Sequence, residues 1–227
     1  MKSHFIILFV CSLAVAIDSW GHTIQVGPQE SVHTIREGIA QAKTGDTLFV
    51  QPGIYREGNI ILEKSITIVG KDFPVLDGEN KYEILTIHAD HVFITGLKFI
   101  NTGVASMNDL AAIKALECKN LRILNNQFEN TFFGIYLANS SKSWIENNQL
   151  QATAEAEHQI GNGIHMWKCE FITINNNTIK GHRDGIYFEF VTNSLITNNY
   201  SEANLRYGLH FMFSHNDEYV NNVFADN

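Results

Sequence analysis

Apolar and polar residues alternate in short runs that recur along the second half of the chain. Four of these runs begin with glycine and share one pattern: Gly134-Ile135-Tyr136-Leu137, Gly163-Ile164-His165-Met166, Gly185-Ile186-Tyr187-Phe188 and Gly208-Leu209-His210-Phe211. Successive runs start 29, 22 and 23 residues apart. Alternation with a period of two predicts a β-strand, and the larger period predicts a repeating structural unit.

Paired asparagines follow the same larger period. The pairs are Asn125-Asn126, Asn147-Asn148, Asn176-Asn177, Asn198-Asn199 and Asn221-Asn222. Asparagine tolerates left-handed turns, and its amide can form hydrogen bonds along a stack of identical residues. We therefore interpret the pairs as turn residues and not as a binding site. A second short strand is predicted just before each pair, from the residues Ile123, Ile145, Ile174 and Ile196.

Two short strands in each unit of 22 to 23 residues predict an all-β fold, a right-handed single-stranded parallel β-helix of the pectin-lyase-like class. Two apolar columns would fill its interior, namely Ile113/Ile135/Ile164/Ile186/Leu209 and Ala115/Leu137/Met166/Phe188/Phe211. A leucine-rich repeat is the rival fold, since residues 121–128 fit its consensus. The other half of each unit has few leucines, which favours the β-helix.

The chain divides into three predicted parts. Residues 1–16 have the short apolar run and small-residue cleavage site of a signal peptide, so we expect export. Residues 17–45 would form a strand and a helix that caps the open end of the solenoid, with Ser31 as its N-cap. Residues 46–227 would form the β-helix, with about eight coils in the chain and truncated at its C-terminal end.

The single long step between repeats locates an insertion of about seven residues at 151–159. Extra length in a solenoid often lies on the binding face, although a tolerated surface insertion is the alternative. The residues Cys118 and Cys169 occupy one column, two coils or ~9.6 Å apart. Because a disulfide needs a shorter separation, we expect two unpaired thiols, more readily buried and inert than chemically used.

The chain has a formal net charge of −8 and only 16 basic residues. These residues form no basic cluster in the sequence, which argues against a nucleic-acid partner.

Three segments of the chain, residues 163–169, 183–194 and 205–217, are similar to the periplasmic copper-binding proteins of the NosD type. The sequences at 45–55 and 66–70 are less specific, since many exported β-helix proteins share them. The resemblance implies a periplasmic, non-enzymatic accessory protein for copper-site maturation of nitrous oxide reductase. It also implies copper as a cofactor. The partners it implies are an ABC-type ATPase and permease, with the reductase or a copper chaperone, so that contact with the membrane is only through partners.

Histidine, methionine and cysteine are the side chains that bind copper in this compartment. The last coils concentrate such residues, and we take His210, Met212 and His215 as candidate metal ligands, with His165 and Glu189 nearby. The residues His165 and His210 lie two coils apart, ~9.6 Å, which is too far to share one ion directly.

Two other functions remain open at this stage. The outward-facing residues would form a protein-binding face, comprising Tyr136, His165, Trp167, Tyr187, Glu189 and His210. A carbohydrate-binding or polysaccharide-degrading protein, a lyase or hydrolase, is the alternative class. A lyase requires clustered carboxylates and a hydrolase paired ones, and acidic residues are sparse on the predicted strands after Asp109.

Overall fold

The computed structural model describes residues 21–105, 108–153 and 155–227. The predicted signal peptide at residues 1–16 lies outside the described residues. Three parallel sheets run along the molecule, and from Thr47 to Met212 the chain passes from the first to the second to the third sheet in every coil. This is the predicted parallel β-helix. In the part of the chain that is described, no helix is long and apolar enough to span a bilayer.

Each sheet is built from strands of two to six residues. The first sheet has nine strands: Thr23–Val26, Thr47–Val50, Thr67–Gly70, Phe93–Thr95, Arg122–Leu124, Trp144–Glu146, Thr173–Asn175, Leu195–Thr197 and Glu218–Val220. The second has eight: Ile54–Tyr55, Val75–Asp77, Lys98–Ile100, Gln127–Glu129, Gln149–Gln151, Thr178–Lys180, Tyr200–Glu202 and Val223–Ala225. The third has seven: Ile60–Leu62, Leu85–Ile87, Ala111–Leu116, Phe133–Ala138, Ile164–Trp167, Asp184–Glu189 and Tyr207–Met212.

The two predicted apolar columns lie in the third sheet and point into the core. Strand register aligns Ile113, Ile135, Ile164 and Ile186, and all four side chains are fully buried. The prediction fails for the last strand. There Leu209 is only partly buried and Phe211 is 55% exposed, because no further coil of the described chain stacks on this strand.

The predicted helix spans Ile35–Gln41 and packs on the strands of the first coils. Its N-cap is Thr34, not the predicted Ser31. The side chain of Thr34 accepts a hydrogen bond from the backbone N–H of Glu37, and the carboxylate of Glu37 accepts one from the backbone N–H of Thr34. This capping box satisfies two backbone donors that a cap at Ser31 would leave free. A Cβ at Gly38 would lie 2.8 Å from a methyl group of Val26, so glycine permits this close approach.

The asparagine pairs lie at the corner between the first and second sheets, where the first residue of each pair forms the turn and the second forms hydrogen bonds between coils. The first asparagine of each pair has a left-handed backbone, with φ between 53° and 56°. In the first four pairs the second asparagine is buried and hydrogen-bonds to the next coil. In one step, the backbone N–H and side-chain amide of Asn148 both donate to Oδ1 of Asn177, at 3.0 Å each. The predicted turn role of these asparagines is therefore confirmed.

The two cysteines are free and buried, as predicted. Burial raises the pKa of Cys118 to about 11 and that of Cys169 to about 12. Both thiols donate hydrogen bonds to backbone carbonyls of their own coil and of an earlier one. Protonated thiols that point into the core are not available as copper ligands.

Replacement of Asn148 by alanine tests the importance of the buried ladder. The change would leave the backbone N–H of Asn126 and the carbonyl of Ile123 without their partners. We expect the free energy of unfolding to fall by about 3 kcal/mol, since each buried group left unsatisfied costs roughly 1–3 kcal/mol. Urea unfolding followed by circular dichroism measures it. The matched control is Asn147→Gly, which keeps the left-handed turn and should change stability little. Equal losses in both variants would contradict a special role for the ladder.

Candidate functional site

Two columns of side chains run along the outer face of the third sheet. Strand register aligns the first column, Lys114, Tyr136, His165, Tyr187 and His210. It also aligns the second column, Leu116, Ala138, Trp167, Glu189 and Met212. The residues of the sequence-predicted face therefore lie on one continuous surface in the predicted order, and a binding role for them stays a prediction.

The rings of the first column stack on one another. The ring of His165 lies 4.6 Å from Tyr136 and 4.8 Å from Tyr187, with interplanar angles of 3° and 18°. Its Nδ1 lies 2.9 Å from the side-chain amide of Asn162. Burial lowers the pKa of His165 to about 3, with a smaller contribution from Arg183, so the ring is neutral. This histidine is held between two tyrosines and acts as a structural part of the stack.

The stack breaks at His210. Its ring is nearly perpendicular to that of Tyr187, at 88° and 5.0 Å. The turned ring brings Nδ1 to 3.6 Å from Oδ2 of Asp184 and to 3.2 Å from Nη2 of Arg206. The two histidines that the sequence grouped together thus have different environments, and only His210 contacts charged groups.

Asp184 is the buried charge behind this histidine. Its side chain is 1% exposed, and neither carboxylate oxygen has a hydrogen bond within the described ranges. Nε of Arg206 lies 3.4 Å from Oδ1, and the His210 ring faces the other oxygen. A buried carboxylate is costly unless a cation lies beside it, so the guanidinium of Arg206 stabilises it. Arg206 thus pairs with Asp184 between neighbouring coils.

The insertion reaches the same cluster. It contains a short 3₁₀ helix at Glu157–Gln159, and Oε2 of Glu157 lies 3.7 Å from Nη1 of Arg206. One guanidinium therefore contacts Asp184, His210 and Glu157. Sequence reasoning placed the insertion on a face of the solenoid, but periodicity could not show that its carboxylate meets an arginine two coils later.

Met212 and Glu189 share one hydroxyl group. The phenol of Tyr187 lies 3.2 Å from Oε2 of Glu189 and 3.3 Å from Sδ of Met212. Two residues after His210 on the same strand, Met212 presents its thioether on the same face. A histidine nitrogen and a methionine sulfur thus lie at adjacent outward positions.

His215 and Trp167 lie at the edges of this surface. The chain turns at Phe213, which has a left-handed φ of 51°, before it reaches the exposed His215. His215 then pairs with Thr192 at the start of the first sheet. The sequence-predicted trio is therefore only partly assembled: the structure brings His210 and Met212 together on one strand and places His215 past the corner. Trp167 is half-buried, and Nζ of Lys168 lies 4.2 Å above its ring.

The copper donors that this strand presents are the imidazole of His210 and the thioether of Met212. Among residues 21–105, 108–153 and 155–227, no group of three or more histidine, cysteine, aspartate and glutamate side chains could hold a metal ion. Imidazole and thioether are both ligands for Cu(I). A carboxylate that accepts the second ring N–H is the usual support of a metal-binding histidine, and Asp184 is placed for that role.

Apart from Phe73 in an early coil, three phenylalanines lie at corners of the coils where the backbone is left-handed. Phe171, Phe190 and Phe213 have φ values of 55°, 56° and 51°. All three are exposed, and the last two stack with ring centroids 5.1 Å apart. Phe190 and Phe213 each directly follow a strand of the third sheet, as Asn139 and Lys168 do in earlier coils. Asparagine tolerates the left-handed conformation at this corner. Bulky residues at such positions indicate a surface kept apolar at a cost in stability.

Comparison with known sequences gives one family. A sequence model described as "Periplasmic copper-binding protein (NosD)" matches residues 151–227. No curated protein matches the chain. The matched segment contains the insertion, the Asp184–Arg206 pair, His210, Met212 and the exposed corner residues Phe171, Phe190 and Phe213.

Comparison with solved structures gives the fold. A rhamnogalacturonan lyase superposes with a TM-score of 0.67 and 13% identity, over 91% of this chain and 63% of that one. A pectin methylesterase, solved in complex with a hexasaccharide, superposes with a TM-score of 0.52 and 11% identity, over 82% of this chain and 65% of that one. The chain thus spans slightly less than two thirds of these structures. Identities this low establish a shared architecture and leave the activities with those proteins. This chain is a parallel β-helix protein whose residues 151–227 match the sequence model of the NosD family.

Proposed function

We propose that this chain is a periplasmic accessory protein in copper-site maturation of nitrous oxide reductase, acting as a copper-binding and docking scaffold. In this proposal it works with an ABC-type ATPase and permease, and with the reductase or a copper chaperone. The observation that carries the proposal is the pairing of His210 and Met212 on one outward strand, with the buried Asp184 behind the histidine. The match of residues 151–227 to a periplasmic copper-binding family supports it.

The position of the proton on His210 decides whether this residue can bind copper. An Nδ1–H directed at Asp184, whose Oδ2 is 3.6 Å away, leaves the lone pair of Nε2 free for the ion. Arg206 opposes this state, since its N–H donors require a lone pair on Nδ1, at 3.2 Å, and hence a proton on Nε2. The arginine is the closer partner in the metal-free chain. The site is therefore suited to a cargo ion that is accepted and later released.

Glu157 links the insertion to this competition between Arg206 and a metal ion for His210. Its carboxylate lies 3.7 Å from the guanidinium of Arg206, on the side away from Asp184. When a cation occupies His210, repulsion would drive Arg206 from the ring, and Glu157 would receive it. The insertion thus provides an alternative partner for the displaced arginine.

The corner phenylalanines next to Met212 form the docking part of the proposal. Phe213 directly follows Met212 in the sequence and stacks on Phe190. A partner that covers these rings would also cover the copper ligands, so docking and transfer would occur on one surface. No catalytic role is proposed for the chain, in keeping with the sparse acidic residues of its outer columns.

A Cu(I) titration under anaerobic conditions tests the ligands. We expect one Cu(I) to bind per chain, and the variant His210→Ala/Met212→Ala to bind at least about tenfold more weakly, since both soft donors are lost. The matched control, His165→Ala, removes a histidine of the same column that is enclosed in the ring stack and should keep the affinity. A third variant, His215→Ala, tests the ligand that the structure places past the corner. If wild type binds no Cu(I), the chain is a docking scaffold only.

Substitutions at Asp184 and Arg206 are expected to act in opposite directions. Asp184→Asn removes the acceptor that directs Nε2 toward the ion, and loss of such a supporting group weakens metal affinity by roughly 10–100-fold. Arg206→Gln removes the competing cation and should strengthen Cu(I) binding. Competition against a Cu(I) chelator at fixed pH measures both affinities. A weaker affinity in the arginine variant would contradict the proposed competition.

The double variant Phe190→Asn/Phe213→Asn separates docking from folding. Relief of left-handed backbone is worth about 1–2 kcal/mol per residue, against about 0.5–1.5 kcal/mol of lost ring stacking. We expect stability to be kept or raised in chemical unfolding. Binding to purified nitrous oxide reductase, measured by biolayer interferometry, should weaken by at least about tenfold. The control is Ile54→Asn, an exposed apolar residue of an early coil. Equal binding by all three proteins would remove the corner from the proposed interface.

A further inference from the structure

A cleft of about 520 Å³ opens on the third sheet at its N-terminal end, away from the proposed copper site. Its walls come from the segments around Asn59, Tyr82 and Asp109, and Tyr136 closes it on the side of the ring stack. Clefts of roughly 300–1,000 Å³ are typical of sites for small ligands.

A buried ion pair forms the floor of the cleft. Nζ of Lys114 contacts Oε2 of Glu83, with side-chain exposures of 17% and 9%. Buried ion pairs contribute little to stability compared with apolar residues of similar size. In the next two coils the position of Glu83 is held by Ala111 and Phe133, so the fold does not require a charge there. This pair is therefore better explained by a ligand than by packing.

The floor also has hydrogen-bonding capacity left over. The hydroxyl of Thr86 lies 2.5 Å from Oε1 of Glu83 and 3.0 Å from Oδ1 of Asn59. A hydroxyl has one proton, and the shorter bond to the carboxylate takes it. The amide of Asn59 can therefore accept a hydrogen bond from a ligand, and its NH₂ group can donate one.

Tyr136 adds a hydroxyl donor at the other side. Burial and the nearby Asp109 raise the pKa of Tyr136 to about 12, so its proton stays in place at neutral pH. Two apolar side chains, Leu110 and Leu116, complete the lining. The cleft thus combines donors, acceptors and short apolar patches.

The balance of charge identifies the class of ligand. Two lysines, Lys81 and Lys114, face two acids, Glu83 and Asp109, so the lining carries no formal net charge. A net charge near zero favours neither an anion nor a metal cation. A sugar presents hydroxyl groups that both donate and accept, together with small apolar faces, and these match the lining.

We infer that this cleft is a binding site for a neutral oligosaccharide, with the Glu83–Lys114 pair, Asn59 and Tyr136 as its hydrogen-bonding groups. The inference goes beyond the proposed copper function and does not depend on it. The two sites lie on the same face but in different coils, so either can be lost without the other.

Calorimetric titration of the copper-free full chain tests the inference, with tri-N-acetylchitotriose and maltotriose as neutral probes and trigalacturonate as the charged one. We expect saturable binding of a neutral trisaccharide, with trigalacturonate at least about tenfold weaker. Absence of binding by both neutral probes up to about 10 mM, or tighter binding of trigalacturonate, would overturn it.

The double variant Glu83→Gln/Lys114→Gln locates the site, since it removes both charges and leaves none unpaired. Its affinity should fall by at least about tenfold, as expected when charged hydrogen bonds to a ligand are lost. The matched control, Lys180→Gln/Glu202→Gln, removes a lysine–glutamate pair on the second sheet and should bind as wild type does. Tyr136→Phe removes only a hydroxyl, which keeps the test valid if the double variant fails to fold. Wild-type affinity in both cleft variants would show that this cleft is not the site.

Discussion

Hydrogen bonds between successive coils hold every other feature of this protein in place. The backbone ladders of three parallel sheets carry most of them, and the buried asparagines add a side-chain ladder at one corner. A slip of one residue in any strand would turn core residues outward and would also break this ladder. Register is therefore fixed twice, once by apolar burial and once by amide hydrogen bonds.

A fixed register turns distances in the sequence into neighbours in space. Residues 22 to 29 positions apart become adjacent at the spacing of parallel strands, ~4.8 Å. This is why Tyr136, His165 and Tyr187 form one stack of rings, and why Asp184 meets His210 one coil later. The stack stabilises the outer face, and its break at His210 coincides with the only buried carboxylate beside a histidine among the described ion pairs.

Several surface features lower the stability of the protein and are not required by the fold. A buried carboxylate without a hydrogen bond, the left-handed corner residues Phe190 and Phe213 and a buried ion pair each lower stability or leave it unchanged. They concentrate on two parts of the third sheet, the last coils and the cleft near Lys114. A solenoid suits this arrangement, since each coil contacts only its neighbours and local cost does not spread along the stack.

The sequence by itself determined the coils, the inward columns and the two roles of asparagine, because each depends on a period that survives in the order of residues. It also placed Tyr136, His165, Tyr187 and His210 in one outward column. It did not distinguish His165 from His210, nor show that His215 lies past a corner, since ring orientation and burial are set by contacts between coils. The contact of Glu157 with Arg206 and the cleft beside Glu83 were likewise decided by the tertiary structure. Both arise where loops of irregular length cross the outer face, and irregular loops leave no period to read.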